Sequence, residues 1–260
     1  MLFPVCRVKK ISTPIFVKRE RSFLGSVFGD PLQPGKFWLS RDYFGQYFEE
    51  YDSLDDLKNA AVNKTYNIAH HRYFGTQHAI YNNSIYYHYF EKQHVVRYDL
   101  DNHSVTAALQ ITKSHFNDSN FLYNNSKTYY DITADENGLW IVYGRWRVNG
   151  SYIHVMKADL ETLDLIRVWR LPVEIGTYKN SFIACGILYL VKETGNSKID
   201  AEVAYAYDFY HDEETKVNIT LKIPFGKPSM FTFYTNTPDR KQSMLLSWDN
   251  GNIIKYHMLF

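Results

Sequence analysis

The chain has 260 residues, with 29 Lys+Arg against 28 Asp+Glu and a net charge of +1. That length suits one large all-β domain or two small ones, and the balanced charge excludes the long-range field that recruits nucleic acid or anionic lipid. Aromatic residues make up 17 %, including 22 Tyr, a composition that leans towards half-buried strand.

The opening MLFPVCRVKK has a short apolar run but no basic n-region and no long h-region. It does not read as a signal peptide, so secretion would rest on sequence absent here. No stretch approaches the roughly 20 apolar residues of a membrane span, so no membrane insertion by this segment is expected. Helix is scarce. The one candidate is Leu54 to Val62, LDDLKNAAV, with Ser53 as N-cap and Asp55 and Asp56 in its first turn.

A repeat organises the rest. Units open at Ser84 (SIYYHYFEKQHVVRYDL), Gly138 (GLWIVYGRWRVNGSYIHVMKADL), Gly186 (GILYLVKETGNSKIDAEVAYAYDF) and Ser243 (SMLLSWDNGNIIKYHMLF), at offsets of 54, 48 and 57 residues. Each begins with a small residue and a short apolar strand, then a polar turn and a second apolar-aromatic strand. A period near 50 residues with about four strands per unit is the signature of a β-propeller, and five blades fit this length. The last unit has room for only two strands. The ring should therefore close with one or more strands from the segment near Cys6 to Val17, which removes an exposed sheet edge. No Gly/Ser linker or charge run divides the chain, so residues 1–260 read as a single domain.

The chemistry candidates are few. The tract HHRYFGTQH resembles a metal tract only superficially. His70 and His71 are adjacent, which puts them on opposite faces of a strand, and no His pair with cysteine repeats a zinc spacing, so His78, His88 and His94 read as surface or packed histidines. No nucleophile elbow and no phosphate loop occurs. In the stretch DITADENGLWIVYG, Asp135 to Gly138 are turn chemistry. Leu139, Ile141 and Tyr143 should face one way and Trp140 and Val142 the other. Asp131 differs. It sits beside Tyr130 in a segment apolar enough to be partly buried, and a buried carboxylate needs a partner or an ion.

Seven N-x-[ST] triplets occur, at Asn63, Asn82, Asn102, Asn117, Asn124, Asn149 and Asn218. With 18 Asn and a Ser+Thr share of about 12 %, chance predicts about two. The excess favours a secreted, glycosylated surface. Cys6 and Cys185 read either as two unrelated buried thiols or as one bridge closing a long loop, and an oxidising compartment would favour the bridge.

Several of these segments also resemble one family. ITADENGLWIVY resembles the D-E-x-G-L-W signature of the olfactomedin domain. NSFIACGILYLV resembles its A-F-I-I-C-G-x-L-Y segment, AEVAYAYDF its V-x-Y-A-Y-x-T strand, and SWDNGNIIKYHMLF its closing A-W-x-N-G-x-x-x-Y-x-V-x-F. Upstream, GTQHAIYNNSIYYHYF resembles G-T-G-x-V-V-Y-N-G-S-I-Y-F, and FGDPL resembles the early D-P-L element. The resemblance covers the chain from about Cys6 to Phe260.

It implies a five-bladed propeller with a disulfide from the domain's start to a middle blade, here Cys6 to Cys185. It further implies an extracellular, non-enzymatic module that acts in adhesion, matrix or cell-surface signalling by binding extracellular or cell-surface proteins. Oligomerisation would come through regions outside this chain. Finally, it implies a calcium ion, with or without sodium, in the central channel. Asp131, the Asn180 side chain and the Ser181 and Phe231 carbonyls match the ligand positions, a hard-oxygen set suited to calcium. Thr232, however, stands where the family carries a second aspartate, which should lower affinity or leave the place to a monovalent ion, water or a displaced carboxylate. The rival reading is a propeller hydrolase acting on glycans with carboxylates in the channel. A third reading, an intracellular scaffold, predicts free thiols.

Overall fold

The strand Gly138–Arg147 shows why the chain forms blades. Leu139, Ile141 and Tyr143 enter one apolar cluster with Ala79, Tyr86 and Val95. Trp140 and Val142 enter another with Leu188 and Leu190. Both faces are buried, as expected for a strand sandwiched between neighbouring sheets. The computed structural model describes residues 6–116, 118–123, 125–135, 137–147, 149–195, 199–235 and 243–260.

Five antiparallel sheets form the blades. Their innermost strands are Gly25–Gly29, Tyr73–Tyr81, Tyr130–Asp135, Asn180–Ala184 and Pro228–Thr235. The second and fourth inner strands turn into their neighbours, and the second strand of the fifth blade into its third, on two successive residues with positive φ: Asn82–Asn83, Cys185–Gly186 and Asn250–Gly251. That pairing matches the right-handed twist of the flanking strands. Five apolar clusters occupy the five interfaces between neighbouring blades, so no blade is stable without its neighbours.

The ring closes as expected, by a strand exchange between the two ends of the chain. In the fifth blade, Asn252–Leu259 pairs with Lys10–Ile11 and with Ile15–Arg19, so the closure extends two residues beyond Val17. The incoming segment is also anchored to the fourth blade. Cys6 is bonded to Cys185 with Cα atoms 5.6 Å apart, Arg7 lies 3.6 Å from Asp208, and the Val8 amide donates to the Tyr189 hydroxyl at 3.1 Å. At the seam between the fifth and first blades, a Cβ on Gly25 would stand 2.6 Å from the Trp248 ring, so only glycine permits this approach.

The helix covers Leu54–Asn59, three residues shorter than Leu54 to Val62. The Ser53 hydroxyl accepts from the Asp56 amide at 3.0 Å, as a cap should. Ala60 then takes the left-handed conformation and its amide returns to the Asp56 and Leu57 carbonyls, which ends the helix before the apolar Val62. His70 and His71 lie in a single 3-10 turn, Ala69–His71, rather than on a strand.

Candidate functional site at the propeller axis

The inner strands bring Asp131, Asn180, Ser181 and Phe231 together at the axis, all buried. Asp131 comes from the third blade, Asn180 and Ser181 from the fourth, and Phe231 from the fifth. The Tyr123 hydroxyl reaches in from the loop before the third blade. Tyr123 Oη and Ser181 Oγ stand 2.6 and 2.7 Å from Asp131 Oδ2 and 2.6 Å from each other. Both hydroxyls donate to Asp131 Oδ2, so the edge between Tyr123 and Ser181 has no proton of its own while Asp131 is ionised. Burial pushes the Asp131 carboxyl up to about 7, against the opposing pull of the Tyr123 and Ser181 hydrogen bonds. The same burial, with Asp131 beside it, raises the Tyr123 hydroxyl well above the usual tyrosine value.

Asn180 is the second centre. Its side-chain oxygen accepts from Gln77 Nε2 at 2.6 Å, from the Ser181 amide at 2.9 Å and from the Phe231 amide at 3.2 Å. Two of these donors are main-chain N–H groups, which fixes the oxygen rather than the nitrogen at this point. A second crossing lies alongside. The Thr76 amide donates to Thr128 Oγ1 at 2.9 Å, and its hydroxyl donates to the Ser229 carbonyl at 2.8 Å. Gln77 and Thr76 belong to the second blade, so the Gln77–Asn180 and Thr76–Ser229 bonds join blades that are not neighbours in the ring. The channel is therefore crossed by side chains at this level.

Thr232 does not join the cluster. It is half-buried, and its hydroxyl donates to the Met230 sulfur at 3.1 Å within its own strand. The residues present do not fit a calcium ion. Calcium takes 6–8 oxygen ligands. Here the Asn180 oxygen already holds three donors, Asp131 is the one carboxylate in the cluster, and no acid stands at Thr232. No group of three or more His, Cys, Asp or Glu suited to a metal occurs among the described residues.

Gln77 and Tyr123 were not singled out by the sequence. The signal for Gln77 was present, because the family pattern G-T-G-x-V-V-Y has glycine where GTQHAIY has Gln77. Tyr123, in a polar loop, carried none. Where the inner strands end, Gly29, Ala134, Cys185 and Phe233 border a depression of ≈ 30 Å³, room for about two water molecules. Residues 136 and 236–242, adjacent in sequence, lie outside the described residues.

The other candidates are structural. Asp135 Oδ1 accepts from the Asn137 amide at 2.9 Å and from Trp140 Nε1 at 3.1 Å, a turn role as expected. Glu136 lies outside the described residues. His78 is fully buried among the rings of Phe28, Phe48, Tyr73 and Tyr87, and burial pushes its pKa down to about 3. His88 contacts Tyr130 and is likewise pushed down to about 3 by burial. One cluster was not foreseen. His115 Nε2 lies 2.8 Å from Ser151 Oγ and its Nδ1 2.7 Å from Asp118 Oδ2, the order of a serine-hydrolase triad.

Asn63, Asn82, Asn102, Asn149 and Asn218 are exposed. Asn117 and Asn124 lie outside the described residues. No helix among the described residues is long and apolar enough to cross a membrane.

Among solved structures, the chain is similar to a glutaminyl cyclase from Myxococcus xanthus, with 8 % identity, a TM-score of 0.54, and coverage of 98 % of this chain and 100 % of that one. It is also similar to a hydrazine synthase from Kuenenia stuttgartiensis, with 13 % identity, a TM-score of 0.49, and coverage of 90 % and 57 %. The likeness to the cyclase, at 8 % identity, speaks for the fold alone. The family model of the olfactomedin-like domain matches residues 3–260. With that match over essentially its whole length, the chain belongs to the olfactomedin-like domain family.

Proposed function

We propose that this propeller is an extracellular module that binds other proteins, in adhesion, matrix organisation or cell-surface signalling, and that its working surface lies on the blade faces rather than in the channel. The observation that carries this reading is the crossed channel, with Gln77 bonded to Asn180 and Thr76 to Ser229. A glycan hydrolase needs two carboxylates about 5–10 Å apart beside an open site. The axial cluster offers one, and it is enclosed.

The face where the inner strands begin supports the same reading. Of the eight exposed large aromatic side chains among the described residues, six lie there: Phe23, Tyr43, Phe44, Tyr47, Trp146 and Phe225. Exposed, well-supported aromatics are the usual anchors of protein interfaces. Phe44 is held by Phe90 at 4.4 Å, and the Arg72 guanidinium lies 5.6 Å from its ring.

The test is capture of cell-surface proteins by the glycosylated domain. Replacing Phe44, Tyr47 and Trp146 by Ser should abolish capture, whereas Tyr210→Ser on the opposite face should preserve it. Equal capture by both variants would refute the assignment of this face. Peptide mapping after deglycosylation should find modified Asn63, Asn82, Asn102, Asn149 and Asn218. Unmodified Asn at all five would count against an extracellular setting.

A further inference from the structure

We propose that the Gln77 carboxamide does the joining work of a cation at the propeller axis, so that the ring is held there by hydrogen bonds alone and its stability is independent of calcium and sodium.

The argument rests on which groups face the axis. A carboxamide oxygen has two lone pairs, and Asn180 Oδ1 already meets three N–H donors. A cation there would have to displace Gln77 and then sit against two main-chain N–H groups that point at it. The Asn180 nitrogen is also buried and has no acceptor among the described residues. Asp131 Oδ2, Ser181 Oγ and Tyr123 Oη are bonded to one another in a closed triangle, so these three oxygens are already engaged.

Two departures from the family pattern fall in this one place. Where the pattern has glycine, the chain has Gln77, which adds a donor long enough to cross the axis. Where the pattern has aspartate, it has Thr232, which removes a negative charge and points at Met230. A gained donor and a lost anion are the two changes that replacing a cation by an amide requires. The hydrogen-bonded cluster also ties in the second blade, through Gln77, alongside the third, fourth and fifth.

The experiment is thermal unfolding of the glycosylated domain in three buffers: about 5 mM calcium chloride, excess EDTA, and choline chloride in place of sodium chloride. The expected result is the same Tm in all three, within about 1 °C. A rise of several degrees with calcium or sodium would overturn the proposal, as would a calorimetric calcium isotherm. The second arm is Gln77→Leu, which keeps most of the volume and removes the donor. Its Tm should fall by roughly 3–8 °C and respond to neither ion. A Gln77→Leu protein as stable as the parent would show that Gln77 does not hold the ring together. A variant whose Tm is restored by calcium would show that the site is a metal site after all.

Discussion

Gln77 Nε2 and Asn180 Oδ1 lie 2.6 Å apart although 103 residues and an entire blade separate them in the chain. Asn180 thereby receives donors from the second, fourth and fifth blades on one oxygen. Asn180→Ala would orphan the Gln77 amide and two buried main-chain N–H groups. Each unsatisfied buried donor costs about 1–3 kcal/mol, so the loss of three should be roughly 3–9 kcal/mol, measured by chemical denaturation. Because the bonds join blades, unfolding should stay a single transition. A loss below about 1 kcal/mol would mean that the amides find other partners.

Asp131 makes stability depend on pH in an unusual direction for a carboxylate. Its folded pKa is raised to about 7 by burial, against about 3.9 in an unfolded chain. The folded state therefore binds the proton more tightly. The contribution is fully present below about pH 4 and is lost as pH rises through 7. Urea midpoints at pH 5 and pH 8, compared between the parent and Asp131→Asn, isolate this group. The parent should lose stability relative to the variant on going from pH 5 to pH 8, by about 3 kcal/mol, since the folded value lies about two pH units above the start of that window. Parallel behaviour of the two proteins between these pH values would contradict a neutral Asp131.

The Cys6–Cys185 bond spans 179 residues, and in the chain-entropy model a loop of that length stabilises by about 5 kcal/mol. It also pins the incoming N-terminal segment to the fourth blade before that segment completes the fifth. Reduction, or Cys6→Ser with Cys185→Ser, should therefore weaken ring closure first. Hydrogen exchange should show the largest rise in Lys10–Ile11, Ile15–Arg19 and their partner Asn252–Leu259. Uniform exchange across all blades would argue against a local closure role.

The blades were legible in sequence because strands such as Gly138–Arg147 and Ile187–Glu193 are apolar on both faces and recur at a near-constant spacing. The closure was legible for a topological reason: a final unit short of strands has to borrow them. Asp131 stood out because a carboxylate beside Tyr130 in an apolar segment is costly unless paired. Gln77 was visible only as a departure from the family pattern, because by its local chemistry one polar residue in a strand looks like an ordinary solvent-facing position, and its partner is 103 residues away. Nothing local to Tyr123 says that its loop folds back to the axis. His70 and His71 were misplaced because a two-residue pattern does not distinguish a strand from the turn of a 3-10 helix.

Gly138 is where turn chemistry and packing meet. Its φ is +142° and a Cβ would stand 2.9 Å from the Ala158 carbonyl. The backbone there cannot yield as a side chain could. Gly138→Ala should cost about 2 kcal/mol or more, mainly by shifting the register between the Asp135 turn and the third strand of its blade. A neutral variant would show that the turn adapts.

The Ser151–His115–Asp118 cluster has the hydrogen-bond order of a hydrolytic triad, yet its surroundings favour a structural tie. The His115 side chain is only 1 % exposed, and the Trp146 ring lies over it at 4.3 Å between centroids. Its main-chain amide donates to the Gly144 carbonyl at 3.0 Å, and Asp118 also accepts from the Asn120 amide at 3.0 Å. Together these bonds fasten the segment after residue 111 onto the second and third strands of its blade. An acyl substrate at Ser151 would have to share its place with Trp146, the cross-strand neighbour that packs on His115. A fluorophosphonate probe should therefore leave Ser151 unlabelled, while His115→Ala should lower stability by about 2 kcal/mol through lost bonds on both ring nitrogens. Labelling at Ser151 that disappears in His115→Ala would reverse this reading and make the cluster a nucleophilic site.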